Sequence, residues 1–296
     1  MMKRVIIRRA TLADENAISD LAFRAERRVL RIPWGNLHQV IEVHAERGLH
    51  DLFLGEGDGQ LVCICGSSVG PDTVAQIRIF ALRDDWPVCG TLAAVLTRVR
   101  GALREKNVRT LAFVGGEEWL LNGLMANGFR QVNTIVALQK TDFSIPDAGN
   151  RRVTVRRAHR SDFGAILGID QAAFEPLWRN TVHTLTEYLK SCPYFVVSES
   201  DGEVVGYGCG HLNGRHGHLA RIAVHPRYHG QRIGVRLLAE AIRFLHGRRA
   251  LGVTLNTHQD NVRARRLYGW FGFKTLGKEA DVLVYTLSCQ SARNNV

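Results

Sequence analysis

Apolar and polar positions in the second half of the chain alternate with two different periods. Period-two alternation predicts strands, and apolar residues spaced three and four apart predict amphipathic helices. The predicted strands span residues 153–157, 194–198, 203–212, 218–225, 251–257 and 282–287, and the predicted helices span about 161–174, 180–190, 234–246 and 261–271. The Asp201-Gly202 turn between two strands predicts a hairpin. The mixed order of elements predicts an α/β domain.

The same pattern occurs twice along the chain. The matching segments are Val5–Ala10 with Val153–Ala158, Asp58–Val62 with Asp201–Val205, and Gly128–Arg130 with Gly272–Lys274, at offsets of 148, 143 and 144. Three matches in one order at nearly one offset predict a duplicated domain. The segment 142–152 lacks periodicity and contains Ser, Pro and Gly, so it is the expected linker. The predicted domains are 1–145 and 152–288.

The net charge of +11 is concentrated in the second half of the chain. Residues 1–150 contain 18 Lys and Arg against 17 Asp and Glu, whereas residues 151–296 contain 21 against 11. A surplus of this size indicates an anionic partner, which is a nucleic acid, a membrane surface or a phosphorylated ligand. We expect the anion to bind the second domain.

No segment of the sequence indicates export or membrane insertion. The first ten residues contain only a short apolar run, and no stretch approaches about 20 apolar residues, so we expect neither a signal peptide nor a membrane span. The six cysteines form no Cys-x-x-Cys pair, which favours free thiols in a reducing compartment over a metal or disulfide site. We therefore expect a cytoplasmic protein without a membrane partner or a metal.

A glycine-containing loop at 224–234 leads from a predicted strand into an apolar helix. Glycines at a helix start allow consecutive backbone N–H groups to point at an anion, and the helix dipole adds to the attraction. Arg227 and Arg232 add positive charge. This chemistry suits a pyrophosphate, but an ordinary strand–helix turn with exposed basic residues explains the loop equally well.

With the residues around it, the loop resembles the acetyl-CoA loop of the GNAT superfamily of N-acetyltransferases. The family pattern is Q/R-x-x-G-x-G/A after a strand that ends near Val-x-Pro. The matching residues here are Val224, Pro226, Gly230, Ile233 and Gly234. His229 stands at the usual Arg or Gln. Arg232 stands at the usual first Gly, where it either removes a permissive backbone conformation or supplies an extra phosphate contact.

A second motif, Asn261–Phe273, is similar to the family's N-x-x-A-x-x-L-Y-x-x-x-G-F and matches at every fixed position. The resemblance covers about residues 152–288. It implies acetyl-CoA as co-substrate, a primary amine as acceptor, and two tandem domains, each a central mixed, mostly antiparallel sheet flanked by helices. The implied cofactor-binding residues are Ala223, Val224, His229, Gly230, Gln231, Arg232, Ile233, Gly234 and Asn261.

Acetyl transfer to an amine needs a base for the amine and a proton for the departing thiolate. The resemblance implies that Tyr268 protonates the thiolate. It places the base six residues before the strand end, at His218, whose residue type suits proton transfer near neutrality. His216, on the same strand face, is the alternate, and an exposed loop explains both histidines as well. A further family position on the next strand holds Asn256, which cannot act as a base, and His258 is expected in the following loop.

The first copy lacks most of these residues. At an offset of 144 its loop falls at 85–90, where Pro87 removes a backbone donor and Asp84 and Asp85 repel phosphate. Glu117, Leu124 and Val74 stand at the positions of Asn261, Tyr268 and His218. We therefore expect the first domain to be non-catalytic and to have lost affinity for CoA.

The acceptor is weakly specified by the sequence. The segment from Phe174 to Trp178 is similar to the acceptor-side segment of ribosomal-protein alanine N-acetyltransferases, which marks these two residues as substrate-binding; a hydrophobic pair at a helix end explains the same spacing. Small amines and protein N-termini are both candidate acceptors. A regulatory module that binds acetyl-CoA without turnover, and a nucleic-acid-associated protein, are the alternative classes, but no recognition motif favours nucleic acid. The oligomeric state is open.

Overall fold

The computed structural model describes residues 4–30 and 50–287. Within these ranges the chain forms two compact units. Residues up to 132, together with those from 281 onward, form the first unit, and residues 133–280 form the second.

Apart from one strand of the first copy (27–30) and one helix of the second (182–191), the described elements of the two copies follow the same order. The first copy contains strands β1 (Ile6–Arg9), β2 (Arg27–Leu30), β3 (His50–Gly57), β4 (Gln60–Val69), β5 (Val74–Leu82), β6 (Thr110–Gly115) and β7 (Arg130–Lys140), with helices α1 (Glu15–Arg24), α2 (Val88–Glu105) and α3 (Glu118–Ala126). The second contains strands β8 (Thr154–Arg157), β9 (Tyr194–Ser200), β10 (Glu203–Asn213), β11 (His216–Val224), β12 (Gly252–His258) and β13 (Lys274–Thr286), with helices α4 (Phe163–Ala173), α5 (Val182–Ser191), α6 (Ile233–Gly247) and α7 (Val262–Trp270).

Each unit has a mixed, mostly antiparallel sheet, which confirms the predicted fold class. In the second unit the strands follow the order β8-β9-β10-β11-β12-β7, and only the pair β11–β12 is parallel. In the first unit the order is β1-β3-β4-β5-β6-β13, with β5–β6 parallel and β2 also paired to β5.

The final strand of each copy belongs to the unit of the other copy. Residues 135–140 of β7 pair with β12, and residues 281–286 of β13 pair with β6. At these two strands, the boundaries of the sequence repeats therefore differ from the boundaries of the compact units. The repeat pattern cannot show this exchange, because a strand carries the same apolar alternation whichever sheet receives it.

Apolar side chains of the second unit are buried on both faces of its sheet. On one face α6 buries a stripe at helical spacing, formed by Ile233, Leu237, Leu238, Ala241, Ile242 and Leu245. Each large residue of that stripe contributes about 1.5–3 kcal/mol through burial. On the other face α4 and α5 pack against β9 and β10 through Ile166, Ile169, Leu185, Phe195 and Tyr207. This second face carries the candidate acceptor side of the site.

Two predicted helix starts are wrong by a few residues. Residues 160–162 form a 3₁₀ turn, so α4 begins at 163 rather than after Ser161. The cap of α5 is Thr181, whose hydroxyl accepts a hydrogen bond from the backbone N–H of Thr184, and not Asn180. Asn180 is instead buried in a polar network behind the site, because tertiary hydrogen bonds compete with local capping for its side chain.

The described cysteines are free thiols, and four of the five are buried; Cys289 lies outside the described residues. No cluster of potential metal ligands occurs in residues 4–30 and 50–287. Among the helices in those ranges, none combines the length and apolar character that a bilayer crossing requires.

Candidate functional site

The parallel strands β11 and β12 diverge where the predicted loop begins. They pair through His216–Leu219 and Gly252–Leu255 only, and the remaining residues of β11, 220–224, have no partner on β12. Backbone N–H and C=O groups along that edge are therefore available to a ligand, since buried backbone groups need hydrogen-bonding partners. This V-shaped gap is a tertiary feature that the sequence does not indicate.

A cleft of about 460 Å³ opens at this gap. It is lined by Ala173, Phe174, Ile222, Ala223, Val224, Tyr228, His229, Gly230, Arg232, Ile233, Gly234, Val235, Asn261, Arg263, Ala264, Leu267 and Tyr268. The structure thus brings together all the predicted cofactor-binding residues except Gln231. It also adds Phe174, which was predicted for the acceptor side.

The loop before α6 turns through two left-handed residues. Gly230 has φ of +83°, and Arg232, the residue preceding α6, has φ of +60° and ψ of 21°. Such a left-handed residue followed by a helix turns successive N–H groups toward one side, where they form an anion-binding nest. Arg232 therefore adopts the conformation expected of the family glycine, at a cost of about 1–2 kcal/mol for a residue with a Cβ.

The guanidinium of Arg232 is engaged by an acid. It forms an ion pair with the carboxylate of Asp147, which lies in the segment after β7. Arg232 lines the cleft as well, and a contact from its guanidinium to phosphate stays a prediction.

Arg263, which the sequence analysis missed, supplies a cation at this position. Its Nη1 donates to Nδ1 of His229 at 2.6 Å, and Nε2 of His229 donates to the carbonyl of Val224 at 3.0 Å. An arginine can only donate, so Nδ1 of His229 is the acceptor in this contact. His229 thus holds the guanidinium of Arg263 in the cleft wall. Only its position two residues after Asn261 could have indicated this role.

Tyr268 and Asn261 lie in the same cleft wall on α7. The phenol of Tyr268 is half-buried, and the protein packed around it raises its pKa to about 12. It therefore keeps its proton at neutral pH and can donate it. The side-chain oxygen of Asn261 accepts from the backbone N–H of Ala264 at 3.0 Å and so caps α7. The structural role of Asn261 is thus established, and a ligand contact is left to its amide N–H groups.

His218 is fixed in one tautomer. Its Nδ1 lies 3.0 Å from the hydroxyl oxygen of Thr254, and that hydroxyl donates to the carbonyl of Gly217 at 3.2 Å. A hydroxyl has one proton, so Nδ1 of His218 must donate and Nε2 carries the free lone pair. Burial, and secondly the nearby charge of His211, lower the pKa of His218. A neutral imidazole with a free Nε2 is the form a general base requires.

Neither predicted histidine lines the cleft itself. His218 lies on β11 four residues before the cleft-lining Ile222, which is about 13 Å along a strand. His216 is exposed at the beginning of the same strand and pairs across the sheet with Asn213 and Gly252. The half-buried, oriented His218 is thus the better candidate base of the two.

The predicted substrate residues Phe174 and Trp178 are not a helix-end pair. Helix α4 ends at Ala173, Phe174 is extended, and Trp178 closes a separate 3₁₀ turn. Phe174 lies in the cleft wall beneath the guanidinium of Arg221, which is 4.2 Å from its ring centre. Trp178 does not line that cleft, so the structure separates the two predicted substrate residues.

Trp178 contacts His258, a residue expected in a loop. His258 is in fact the last residue of β12, and its ring meets the Trp178 ring edge-on at 4.7 Å. Burial lowers the pKa of His258, against the smaller opposing effects of nearby acids. The amide of Asn133 donates to Nδ1 of His258 at 3.3 Å and to Asp260 at 2.9 Å. The proton of neutral His258 is therefore on Nε2, which makes this ring a hydrogen-bond donor rather than a base.

A buried polar network holds the segment that carries Phe174 and Trp178. Asp170 accepts from the hydroxyl of Tyr207 and, at 2.7 Å, from the backbone N–H of Asn180. The guanidinium of Arg221 donates to the carbonyl of Trp178 at 2.6 Å. Breaking such a network leaves buried groups unpaired, so this wall of the acceptor side is rigid.

In the first unit, aromatic side chains stand at positions whose counterparts line the cleft of the second unit. The β4–β5 pair and the β10–β11 pair each contain one bulge. When these two bulges are aligned, Phe80 stands at the position of Ile222. The second residue of α3, Trp119, corresponds to Arg263 in α7. The rings of Phe80 and Trp119 contact each other at 5.8 Å. The first unit therefore has large apolar side chains where the second has cleft walls.

The same alignment corrects one residue of the sequence comparison. Gln76, and not Val74, is the counterpart of His218, since Gln76 pairs with Ala112 as His218 pairs with Thr254. Glutamine also cannot act as a base. Pro87 precedes α2 as Arg232 precedes α6, so no left-handed residue stands at the helix start.

The second copy matches a known protein family. Residues 163–273 match the model of the acetyltransferase (GNAT) family. Within the second copy the chain is thus similar to N-acetyltransferases of this family.

Individual relatives extend the comparison. The chain is 28% identical over 129 residues to a Bacillus subtilis protein named as a putative ribosomal protein bS18 alanine N-acetyltransferase, which covers 43% of this chain and 83% of that one. A GCN5-related N-acetyltransferase from Sphaerobacter thermophilus has a similar structure, with 17% identity, 96% of each chain covered and a TM-score of 0.62. A tandem GNAT protein from the clavulanic acid biosynthesis pathway gives 11% identity, 96% and 99% coverage and a TM-score of 0.62. These two structures share the fold over the full chain.

Proposed function

We propose that the second unit transfers an acetyl group from acetyl-CoA to a primary amine by direct attack on the thioester. The observation that carries this proposal is the cleft at the β11–β12 gap, whose walls combine a phosphate nest, a cation and a protonated phenol. When bound, the thioester supplies an activated acyl group, so the protein needs no nucleophile of its own.

The residues present suit acetyl-CoA. The N–H groups at the start of α6 and the guanidinium of Arg263 offer a pyrophosphate both hydrogen bonds and charge. The unpaired edge of β11, residues 220–224, offers hydrogen bonds to the amides of a pantetheine arm. The amide of Asn261 is a further donor at the same wall.

Two side chains perform the proton transfers. Nε2 of His218 takes a proton from the substrate ammonium, directly or through water, and the neutral amine then attacks the thioester carbonyl to form the C–N bond. The C–S bond then breaks, and the hydroxyl of Tyr268 gives its proton to the departing sulfur. The second proton that the nitrogen loses as the amide forms returns to the oxygen of Tyr268 after that hydroxyl has protonated the sulfur. Both groups are in the required protonation state at neutral pH, because the pKa of His218 is lowered and that of Tyr268 is raised.

A screen of amines with acetyl-CoA tests the activity. Release of free CoA thiol is measured with each acceptor, and acetylated product is confirmed by mass spectrometry. We expect acceptor-dependent thiol release that is lost in the double variant His218→Ala/Tyr268→Phe. Binding of acetyl-CoA without thiol release for any acceptor would instead support the regulatory-module alternative.

A protein N-terminus is the second candidate acceptor. It is favoured by the similarity to the Bacillus subtilis relative, whose name describes a ribosomal-protein alanine substrate. Peptides that begin with Ala test it against the same peptides with a blocked N-terminus and a free lysine. Acetylation of the free N-terminus alone would assign the chain to this class.

A further inference from the structure

The segment after β7 runs along α6 and reaches the phosphate loop. We call residues 141–150 the strap. The ring of Phe143 stacks on His246 at 4.5 Å and 22°, and Ile145 packs against the core cluster that contains α6. The strap is thus anchored to the helix whose first turn forms the nest.

Two side chains of the strap bind the residues that precede α6. The carboxylate of Asp147 pairs with the guanidinium of Arg232. The side-chain amide of Asn150 donates to the carbonyl of Gln231 at 3.0 Å, and its backbone N–H donates to the carbonyl of Arg232 at 3.3 Å. These two hydrogen bonds hold the carbonyl groups of the peptide units immediately before and after Arg232.

The strap backbone also approaches the first turn of α6 closely. Gly149 has φ of +75°, and a Cβ built there would lie 2.3 Å from the backbone nitrogen of Arg236 and 2.9 Å from the carbonyl oxygen of Arg232. Only glycine fits this position, both for space and for conformation.

The strap explains how an arginine occupies a glycine position. The left-handed conformation that orients the nest is disfavoured for a residue with a Cβ, so Arg232 needs external contacts to hold it. We propose that Asp147 and Asn150 are positioning residues that keep Arg232 left-handed and thereby aim the N–H groups of the nest at the phosphates of acetyl-CoA. This role rests on the proposed function, because the ligand whose phosphates are bound comes from it.

The test compares a phosphate-bearing ligand with one that lacks phosphates. In Asn150→Ala and Asp147→Ala we expect the Kd of acetyl-CoA, measured by calorimetry, to rise about tenfold, the equivalent of one hydrogen bond. Turnover of S-acetylpantetheine, which carries no phosphate, should stay the same. Ser144→Ala, in the strap but remote from the loop, is the matched control and should change neither value.

A second set of variants tests the backbone argument directly. Glycine adopts the left-handed conformation without help, so Arg232→Gly should make the nest independent of the strap. Asn150→Ala should then raise the Kd of acetyl-CoA much less than in the Arg232 chain. Without any ligand, Asn150→Ala should lower the Tm of the Arg232 chain more than that of the Arg232→Gly chain.

The outcomes separate the two proposals. An unchanged Kd for acetyl-CoA in Asn150→Ala and Asp147→Ala overturns the positioning role while leaving the acetyl-CoA site in place. The same holds if Asn150→Ala raises that Kd equally in the Arg232 chain and in the Arg232→Gly chain. Equal losses with acetyl-CoA and S-acetylpantetheine show a general structural role and also overturn it. Failure of the wild-type chain to bind acetyl-CoA overturns the proposed function, and the ligand-free Tm comparison then shows separately whether the strap holds Arg232.

Discussion

The hydroxyl of Thr254 accepts the Nδ1 proton of His218 across the only parallel strand pair of the described second unit. The carbonyl of Gly217 takes the proton of the same hydroxyl. This chain of donors leaves one imidazole nitrogen of His218 with a free lone pair. A residue that cannot titrate therefore determines which histidine nitrogen is able to accept a proton.

Replacing His218 tests its assignment as the base. His218→Gln should lower kcat/KM by about 10²–10⁴-fold, the range for a lost general base. Since burial lowers the pKa of His218 below 6.5, wild-type activity should fall only at pH below 6.5, as the imidazole gains a proton. That acidic limb should be absent from the pH profile of the variant. An intact limb in His218→Gln would move the role to another group.

Thr254 gives a milder test of the same tautomer. Thr254→Val removes the acceptor of the Nδ1 proton while preserving the shape of the side chain, and should lower kcat/KM about tenfold, the equivalent of one hydrogen bond. Thr254→Ser retains the hydroxyl and should behave like wild type. Equal losses in the two variants would indicate a packing defect.

Removal of the Tyr268 hydroxyl should affect turnover and not binding. Tyr268→Phe should lower kcat by about 10²-fold, with an unchanged Kd for acetyl-CoA, because the proton is needed only as the C–S bond breaks. Since the pKa of Tyr268 is raised to about 12, its proton should be retained at every pH up to about 11. Tyr285→Phe in the first unit serves as the control and should retain full turnover.

The guanidinium of Arg263 should contribute to acetyl-CoA binding. Arg263→Ala removes a charged donor to phosphate, which is worth about 1.5–3 kcal/mol, and should raise the Kd for acetyl-CoA about 10- to 100-fold. The double variant Arg263→Ala/His229→Arg returns a cation to the loop and should recover much of this loss. A double variant no better than the single one would show that the cation must come from α7.

Each chain should bind one molecule of acetyl-CoA. In the first unit, Phe80 and Trp119 stand at positions whose counterparts line the cleft, and Pro87 removes a donor at its helix start. Calorimetry should therefore give a stoichiometry of one, and Arg263→Ala should weaken that single site. A second site that persists in Arg263→Ala would contradict the loss of binding by the first unit.

Asp162 should make stability depend on pH. Arg156 binds both oxygens of this carboxylate at 2.8 Å, which lowers the pKa of Asp162 from its usual 3.8. Because the folded pKa is the lower one, the pair stabilises the fold above about pH 4 and loses that effect as the pH falls toward the folded pKa. Asp162→Asn should cost about 1–3 kcal/mol of unfolding free energy at pH 7, and less at pH 3, in urea titrations.

The first unit supplies a matched control for that measurement. Arg8 binds both oxygens of Asp14 in the same way at 2.7 Å, and the pKa of Asp14 is likewise lowered, first by the hydrogen bond from Arg8. Asp14→Asn should show the same dependence on pH.

Local patterns were enough to predict the fold class and most of one cleft wall. The predicted strands and helices of the second copy all occur, because alternation and helical periodicity record which side of an element faces a core. The two motifs, His229–Gly234 and Asn261–Tyr268, come together at the cleft for the same reason. Each motif lies at the start of a helix, so its geometry is set within a few residues.

Other features depend on residues far apart in the chain. The exchange of β7 and β13, the gap between β11 and β12, and the strap on α6 are pairings of distant segments whose own sequences would look the same without them. Arg263 was missed because its partner, His229, is 34 residues away. Val74 was predicted as the counterpart of His218 from a uniform offset of 144, whereas these two strands align at an offset of 142.

The amino-acid sequence by itself predicted a duplicated fold in which one copy carries the motif residues, because motifs and apolar periods depend on neighbouring residues. The tertiary structure decided which tautomer His218 adopts, which arginine His229 holds in the cleft wall, and which contacts surround the left-handed Arg232. Each of these depends on a hydrogen bond or ion pair between separate elements, and such contacts form only once the packing of both cores has fixed the distances between them.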